Sequence, residues 1–154
     1  MKKAMPIVIA TMICFGVGLS ANHFQSDAIN SWYPHLIKSS LTPPNIVFPI
    51  AWGIIYFCMG ISIGNIWDKP SYTRRPLVWL FSWQLILNFT WSIMFFALKS
   101  PILGLFNIIT LDIFVYLYTK HAYRINKISA RLFYPYILWL VLATYLNAYI
   151  VIWN

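Results

Sequence analysis

The chain has 154 residues, 60% hydrophobic and 19% aromatic, with only 9% charged. Soluble domains carry about 25% charged residues, so a water-soluble globule is excluded and lipid must act as solvent for much of the chain. The formal net charge of +8 does not point to nucleic acid, because the basic residues fall in short gaps between apolar runs, where they set membrane topology.

The first apolar run covers residues 4–21, close to the ~20 residues that a helix needs to cross a bilayer. Lys2 and Lys3 precede it and Gly18-Leu19-Ser20 resembles a processing site, so a cleaved signal peptide is the competing reading. The length favours a span. Residues 32–52 then form the only long connection. They open with Trp32-Tyr33, carry Lys38, and return through Pro43-Pro44 and Phe48-Pro49 to Trp52. Adjacent prolines fix φ and remove two backbone donors, and proline suits the first turn of a helix. The stretch is expected to be a structured lid that feeds into the second helix.

Further runs cover residues 46–67, 76–98, 101–118 and 133–153. None shows the period-two alternation of a barrel strand, and only helices satisfy their own backbone in lipid without a closed barrel. The short link Lys99-Ser100-Pro101 forces the third and fourth helices into an antiparallel hairpin. The expectation is a single domain over residues 1–154: an all-α integral membrane protein, a bundle of five transmembrane helices with a structured loop between the first and second. Lys2, Lys3, Lys69, Arg74, Arg75, Lys120, Arg124, Lys127 and Arg131 share one side, and Lys38 and Lys99 the other. The positive-inside rule puts the N-terminus in the cytoplasm and the lid outside.

On the third helix, Gln84, Asn88, Trp91 and Phe95 recur at steps of four, three and four and share one face. Amides in a span need partners. They serve either as packing glue between helices or as polar anchors of a ligand cavity. On the fifth span, Trp139, Ala143, Leu146, Asn147 and Ile150 form a stripe in which Ala143 leaves room beside a large ring. Trp52 and Tyr56 pair in the same way on the second helix. Aromatic faces backed by few polar groups suit a flat apolar ligand, and the competing reading is an interfacial belt. Asp112 stands alone in the fourth span, a functional candidate or a packing carboxyl. His23, His35 and His121 read as solvated loop residues rather than metal ligands. Cys14 and Cys58 read as buried structural thiols, and Gly60-Ile-Ser-Ile-Gly64 as a site of close helix contact, within the chain or in a dimer.

Three ordered blocks carry a resemblance. The first is Trp32, Tyr33, Leu36, Lys38, Pro43 and Pro44, continued by Phe48, Trp52, Tyr56, Met59 and Gly60. The second is Gln84, Leu85, Leu87, Asn88, Trp91, Ser92, Phe95 and Phe96, and the third Pro135, Tyr136, Trp139, Ala143, Leu146 and Asn147. In these blocks the chain resembles the TspO/MBR family of tryptophan-rich sensory proteins, relatives of the mitochondrial translocator protein or peripheral benzodiazepine receptor. The resemblance implies an uncleaved first helix in a bacterial cell membrane. It implies a receptor-like protein that binds porphyrins (protoporphyrin IX, haem) and related planar lipophilic ligands in a five-helix cavity. The implied role is tetrapyrrole regulation or stress response, with light-dependent porphyrin breakdown. The ligand site would comprise Tyr33, Trp52, Tyr56, Gln84, Asn88, Trp91, Trp139, Ala143, Leu146 and Asn147, with Asn88 and Trp139 on opposite walls. Trp52 and Trp139 would take part in any photochemistry. There is no classical catalytic motif, no metal cluster and no required cofactor. Membrane lipid and a second copy of the chain complete the expected partners.

The sequence departs from the family at Ser39, where proline is usual, a change expected to loosen the lid. No Lys or Arg follows Tyr145 or Tyr149, which argues against the sterol motif of mammalian relatives. The rival functions are a transporter of porphyrins or other small lipophiles, and a structural membrane subunit.

Overall fold

In hydrocarbon every backbone amide must be paired within its own segment or with a neighbour, and each apolar run accordingly becomes a helix. The computed structural model describes residues 4–154, so Lys2 and Lys3 lie outside the described residues. The long helices are α1 (Ala4–Ser31), α2 (Val47–Gly64), α3 (Ser71–Ser92) and α4 (Pro101–Ile125). A short α5 (Lys127–Arg131) leads into α6 (Tyr134–Trp153). Among the described residues, five helical segments are long and apolar enough to cross a membrane, with α3 extended by its last turn and α5 joined to α6. Around the bundle the order is α1, α2, α6, α4, α3, returning to α1.

The first helix is longer than its apolar run. Its 28 residues span roughly 40 Å at 1.5 Å per residue, more than the ~30 Å hydrocarbon core. The polar residues past Ala21 do not stop it, because Ser26, Asn30 and Ser31 return their side-chain donors to carbonyls three or four residues back. Against α2 it comes very close. A methyl group added at Gly60 would lie 2.5 Å from the Thr11 Cα, and one at Gly64 2.7 Å from the Ile7 Cα. The small-residue motif is thus used within the chain, where lipid supplies no hydrophobic drive and van der Waals contact must hold helices together.

Between α3 and α4 the hairpin turns on Lys99, whose φ of 50° is left-handed. Ser100 caps α4 by accepting from the Leu103 amide. The end of α3 widens into a π-helical turn, Ile93–Ala97, and two consecutive rings there, Phe95 and Phe96, are both buried.

Those rings hold the loop. Trp32 meets Phe95 edge-on at 5.6 Å and Tyr33 meets Phe96 at 5.7 Å. Lys38 lies 4.8 Å above the Tyr33 ring. Burial raises the Tyr33 hydroxyl above its ordinary pKa, so the phenol is neutral at physiological pH and the contact is cation–π rather than an ion pair. The loop then runs down one edge of α6. The Asn154 side chain pairs with both backbone groups of Ile37, Ser39 Oγ lies 3.1 Å from the Tyr145 hydroxyl, and Phe48 packs on Trp139. Ser39 therefore does not loosen the loop. It is buried, accepts from the Leu41 amide and ties the loop to α6, a bond that proline has no side-chain group to make.

Close α1–α2 contact gives the first prediction. Gly60→Ala should lower the melting temperature in detergent, the cost of overpacking being about 1–3 kcal/mol. Gly53→Ala, where the added methyl meets nothing within 4 Å, should melt at or above the wild type. Equal melting of the two variants would contradict the packing described.

Candidate functional site

Trp52 and Tyr56 sit one turn apart on α2 and stack at 5.3 Å with an interplanar angle of 27°. Gly18 of α1 makes room for Tyr56, since a methyl group there would lie 2.8 Å from its Cζ. The Tyr56 hydroxyl donates to Asn88 Oδ1 at 3.1 Å, and Asn88 Nδ2 donates to the Tyr136 hydroxyl at 2.9 Å. One buried amide of α3 thus joins α2 to α6 through the middle of the bundle. Trp52 also meets Tyr136 at 6.0 Å and Trp139 at 6.4 Å, both edge-on, and Phe48 closes against Trp139 at 5.4 Å. Five rings from α2 and α6 therefore form one connected cluster, and two of them, Tyr56 and Tyr136, bond the α3 amide.

A second cluster lies nearer the loop. Trp91 stacks on Phe95 at 5.0 Å and donates its indole N–H to Asn147 Oδ1 at 3.1 Å. Asn147 Nδ2 donates in turn to the Pro101 carbonyl. Tyr33 reaches this cluster through Phe95 and Phe96.

The ten residues expected from the sequence therefore divide. Trp52, Tyr56, Asn88 and Trp139 come together in the first cluster. Tyr33, Trp91 and Asn147 come together in the second. Asn88 and Trp139 are linked through Tyr136 and Trp52. Ala143 packs against the core beside them, and Leu146 is half-buried. Gln84 is fully buried. Its Nε2 faces the Met59 sulfur at 4.0 Å, and its Oε1 finds no partner among the described residues.

Tyr136 and Phe48 belong to the first cluster but not to the ten expected residues; Tyr136 is the one that bonds the amide. It carried a signal, because Tyr136, Leu140 and Asn147 share one buried stripe of α6. Asp112 accepts from the Thr144 hydroxyl at 2.9 Å, joining α4 to α6. His23, His35 and His121 are all exposed.

A cavity of about 990 Å³ opens elsewhere, between α1 and α3, and none of the ten residues lines it. Its walls include Ile9, Ile13 and Val17 of α1, and Phe81, Leu85 and Phe89 of α3.

Comparison with known proteins returns one family and several curated relatives. Residues 10–153 match the model of the TspO/MBR family. The chain is 35% identical over 150 residues to a "Tryptophan-rich protein TspO" of Archaeoglobus fulgidus, covering 97% of each chain. It is 32% identical to the protein of the same name from Chlorobaculum tepidum, covering 95% of this chain and 94% of that one. It is also 32% identical over 119 residues to the human "Translocator protein", covering 75% of this chain and 70% of the relative.

The amide bridge predicts the behaviour of one variant series. Asn88→Leu leaves two phenol hydroxyls without their partner, at about 1–3 kcal/mol for each unsatisfied group, and the melting temperature should fall. Adding Tyr56→Phe and Tyr136→Phe removes the stranded hydroxyls and should restore part of the loss. An Asn88→Leu protein that melts like the wild type would contradict the bridge.

Proposed function

The chain belongs to the TspO/MBR family and is a multi-pass integral membrane protein, and on that premise we propose that it binds porphyrins and related planar lipophilic ligands within its helical bundle. The observation that carries this reading is the cluster of Phe48, Trp52, Tyr56, Tyr136 and Trp139, anchored to the Asn88 amide through its two tyrosines. Indole and phenol faces offer stacking surface to a flat macrocycle. Buried amides offer the few polar contacts that fix its orientation.

In the present arrangement these rings touch one another, so a guest must part them. The loop from Ile37 to Ile46 is the wall best placed to yield, since it meets α6 through a few polar bonds, while the first turn of α2 that follows it meets α6 through one ring pair, Phe48 on Trp139. Bound porphyrin would lie against Trp52 and Trp139, side chains that an excited porphyrin can oxidise with molecular oxygen. Light-dependent breakdown of the ligand is a separate oxidation, in which molecular oxygen is the oxidant and the macrocycle the group oxidised, with the neighbouring indoles as electron donors to the excited porphyrin. The role that goes with it is tetrapyrrole regulation or stress response. Haem is accommodated on this reading by ring contacts alone. The transport alternative differs in one observable, flux of porphyrin across sealed vesicles.

Titrating purified protein with protoporphyrin while following tryptophan fluorescence tests binding. Saturable quenching is expected. Trp139→Phe should weaken affinity by about 0.5–1.5 kcal/mol and slow photobreakdown further, because a phenyl ring resists oxidation. Wild-type affinity and wild-type breakdown in this variant would remove Trp139 from the site.

We also propose that the N-terminus faces the cytoplasm. Lys69 lies in the link between α2 and α3, Arg74 and Arg75 at the start of α3, Lys120 and Arg124 near the end of α4, and Lys127 and Arg131 on α5, all at the end of the bundle opposite the loop, which is the positive-inside distribution. A cysteine placed at Ser40 should react with an impermeant maleimide added outside intact cells. Labelling only from the cytoplasmic side would reverse the orientation.

A further inference from the structure

The groove between α1 and α3 results from how the helices diverge. α1 meets α3 near its C-terminal end, through Phe24 on Phe89 and Gln25 on Ser92. Towards its N-terminal end it follows α2 instead, held there by Gly60 and Gly64. The space left between is about 990 Å³ and is floored by Ile63 and Gly64 of α2 and by Trp67 in the turn that follows it.

Its lining is hydrocarbon in character. Two hydroxyls face it, Ser20 and Ser82, and both donate to carbonyls of their own helices at 2.8 and 2.9 Å. From Val78 to Phe89 the α3 wall rises roughly 16 Å at 1.5 Å per residue. One leaflet of the hydrocarbon core is about 15 Å deep.

The end of the groove is basic. Arg74 and Arg75 lie four and three residues before Val78, one turn below it on the same face of α3. The Arg74 guanidinium donates to the Trp67 carbonyl at 2.6 Å and lies 4.6 Å from the centre of the Trp67 ring. Trp67 is itself a groove residue. A guanidinium has five N–H donors, so most remain for a further acceptor. The first turn of α3 adds the positive end of a helix dipole. The acid at this end, Asp68, lines a separate polar recess with Lys69 and Asn126.

We propose that this groove seats an acyl chain of an anionic phospholipid whose headgroup is held by Arg74 and Arg75. The apolar wall is one leaflet long, and cationic donors stand where that leaflet's phosphates lie. A zwitterionic lipid would fit the groove equally well but gain less at its mouth. The site is separate from the aromatic centre and does not depend on the porphyrin reading.

The test is native mass spectrometry of the detergent-solubilised protein, equilibrated with equimolar dioleoyl phosphatidylglycerol and dioleoyl phosphatidylcholine. The wild type should retain phosphatidylglycerol with about thirtyfold preference, the scale expected of two basic contacts at a membrane surface. Arg74→Gln with Arg75→Gln should bring the two lipids close to parity while the phosphatidylcholine adduct persists. Lys120→Gln with Lys127→Gln removes as much charge from the same end of the bundle and should leave the preference intact. Gly16→Phe puts a ring into the groove at a position where an added Cβ meets nothing within 4 Å, and should remove both adducts. If that variant does not fold, the two double variants still decide the matter. The proposal is overturned by equal retention of both lipids in the wild type, by an equal loss of preference in the lysine pair, or by adducts that survive in folded Gly16→Phe. It is also overturned if the groove proves to be filled by a second copy, seen as a lipid-free dimer that Gly16→Phe dissociates.

Discussion

One buried amide sets the conditions for the centre of this bundle. Asn88 lies at membrane depth, where an unpaired polar group has no water to turn to and costs several kcal/mol. It meets that demand by accepting from Tyr56 and donating to Tyr136. Those two bonds fix the rotation of α2 and α6 about α3, because each phenol must present its hydroxyl to the same side chain. Once the tyrosines are placed, Trp52 is held between them and Trp139 is reached through Trp52. The aromatic centre is thus a consequence of satisfying an amide.

The periphery follows a different rule. Lipid tails are as apolar as the helix surfaces, so α1 is held by close fit rather than by burial from water. Glycines at positions 18, 60 and 64 permit that fit. The same preference for α2 takes α1 away from α3 and leaves the groove between them. The loop is retained by a third device, point contacts with α6 and with the rings at the end of α3. The molecule therefore has a centre secured by hydrogen bonds, a first helix secured by backbone proximity, and a loop held by a few separable bonds.

Much of this was legible in the sequence. Five spans could be counted because each run approaches the length of a bilayer crossing, and the third-helix stripe showed which faces point inward. The pairing of Trp52 with Tyr56 followed from their spacing. The partner of Asn88 on α6 was not found, because Tyr136 is one of ten tyrosines and lies at a helix start, where an interfacial belt residue looks the same. Ser39 was misread because its effect was judged on backbone stiffness alone, while its bonding partner lies 106 positions away. The extent of α1 was underestimated because hydropathy falls past Ala21 although the helix continues on local side-chain bonds. The groove left no trace in any single helix, since it arises from the divergence of two.

Bound protoporphyrin can report its own position. Illuminated in the presence of oxygen at one equivalent per protein, it should oxidise the tryptophans nearest to it, and peptide mass spectrometry should locate the products. If the aromatic centre is the porphyrin site, Trp52 and Trp139 should be modified before Trp79 and Trp83, which are exposed on the outer face of α3. Modification that begins at Trp67, beside the α1–α3 groove, or at Trp79 and Trp83, with Trp52 and Trp139 intact, would contradict the account.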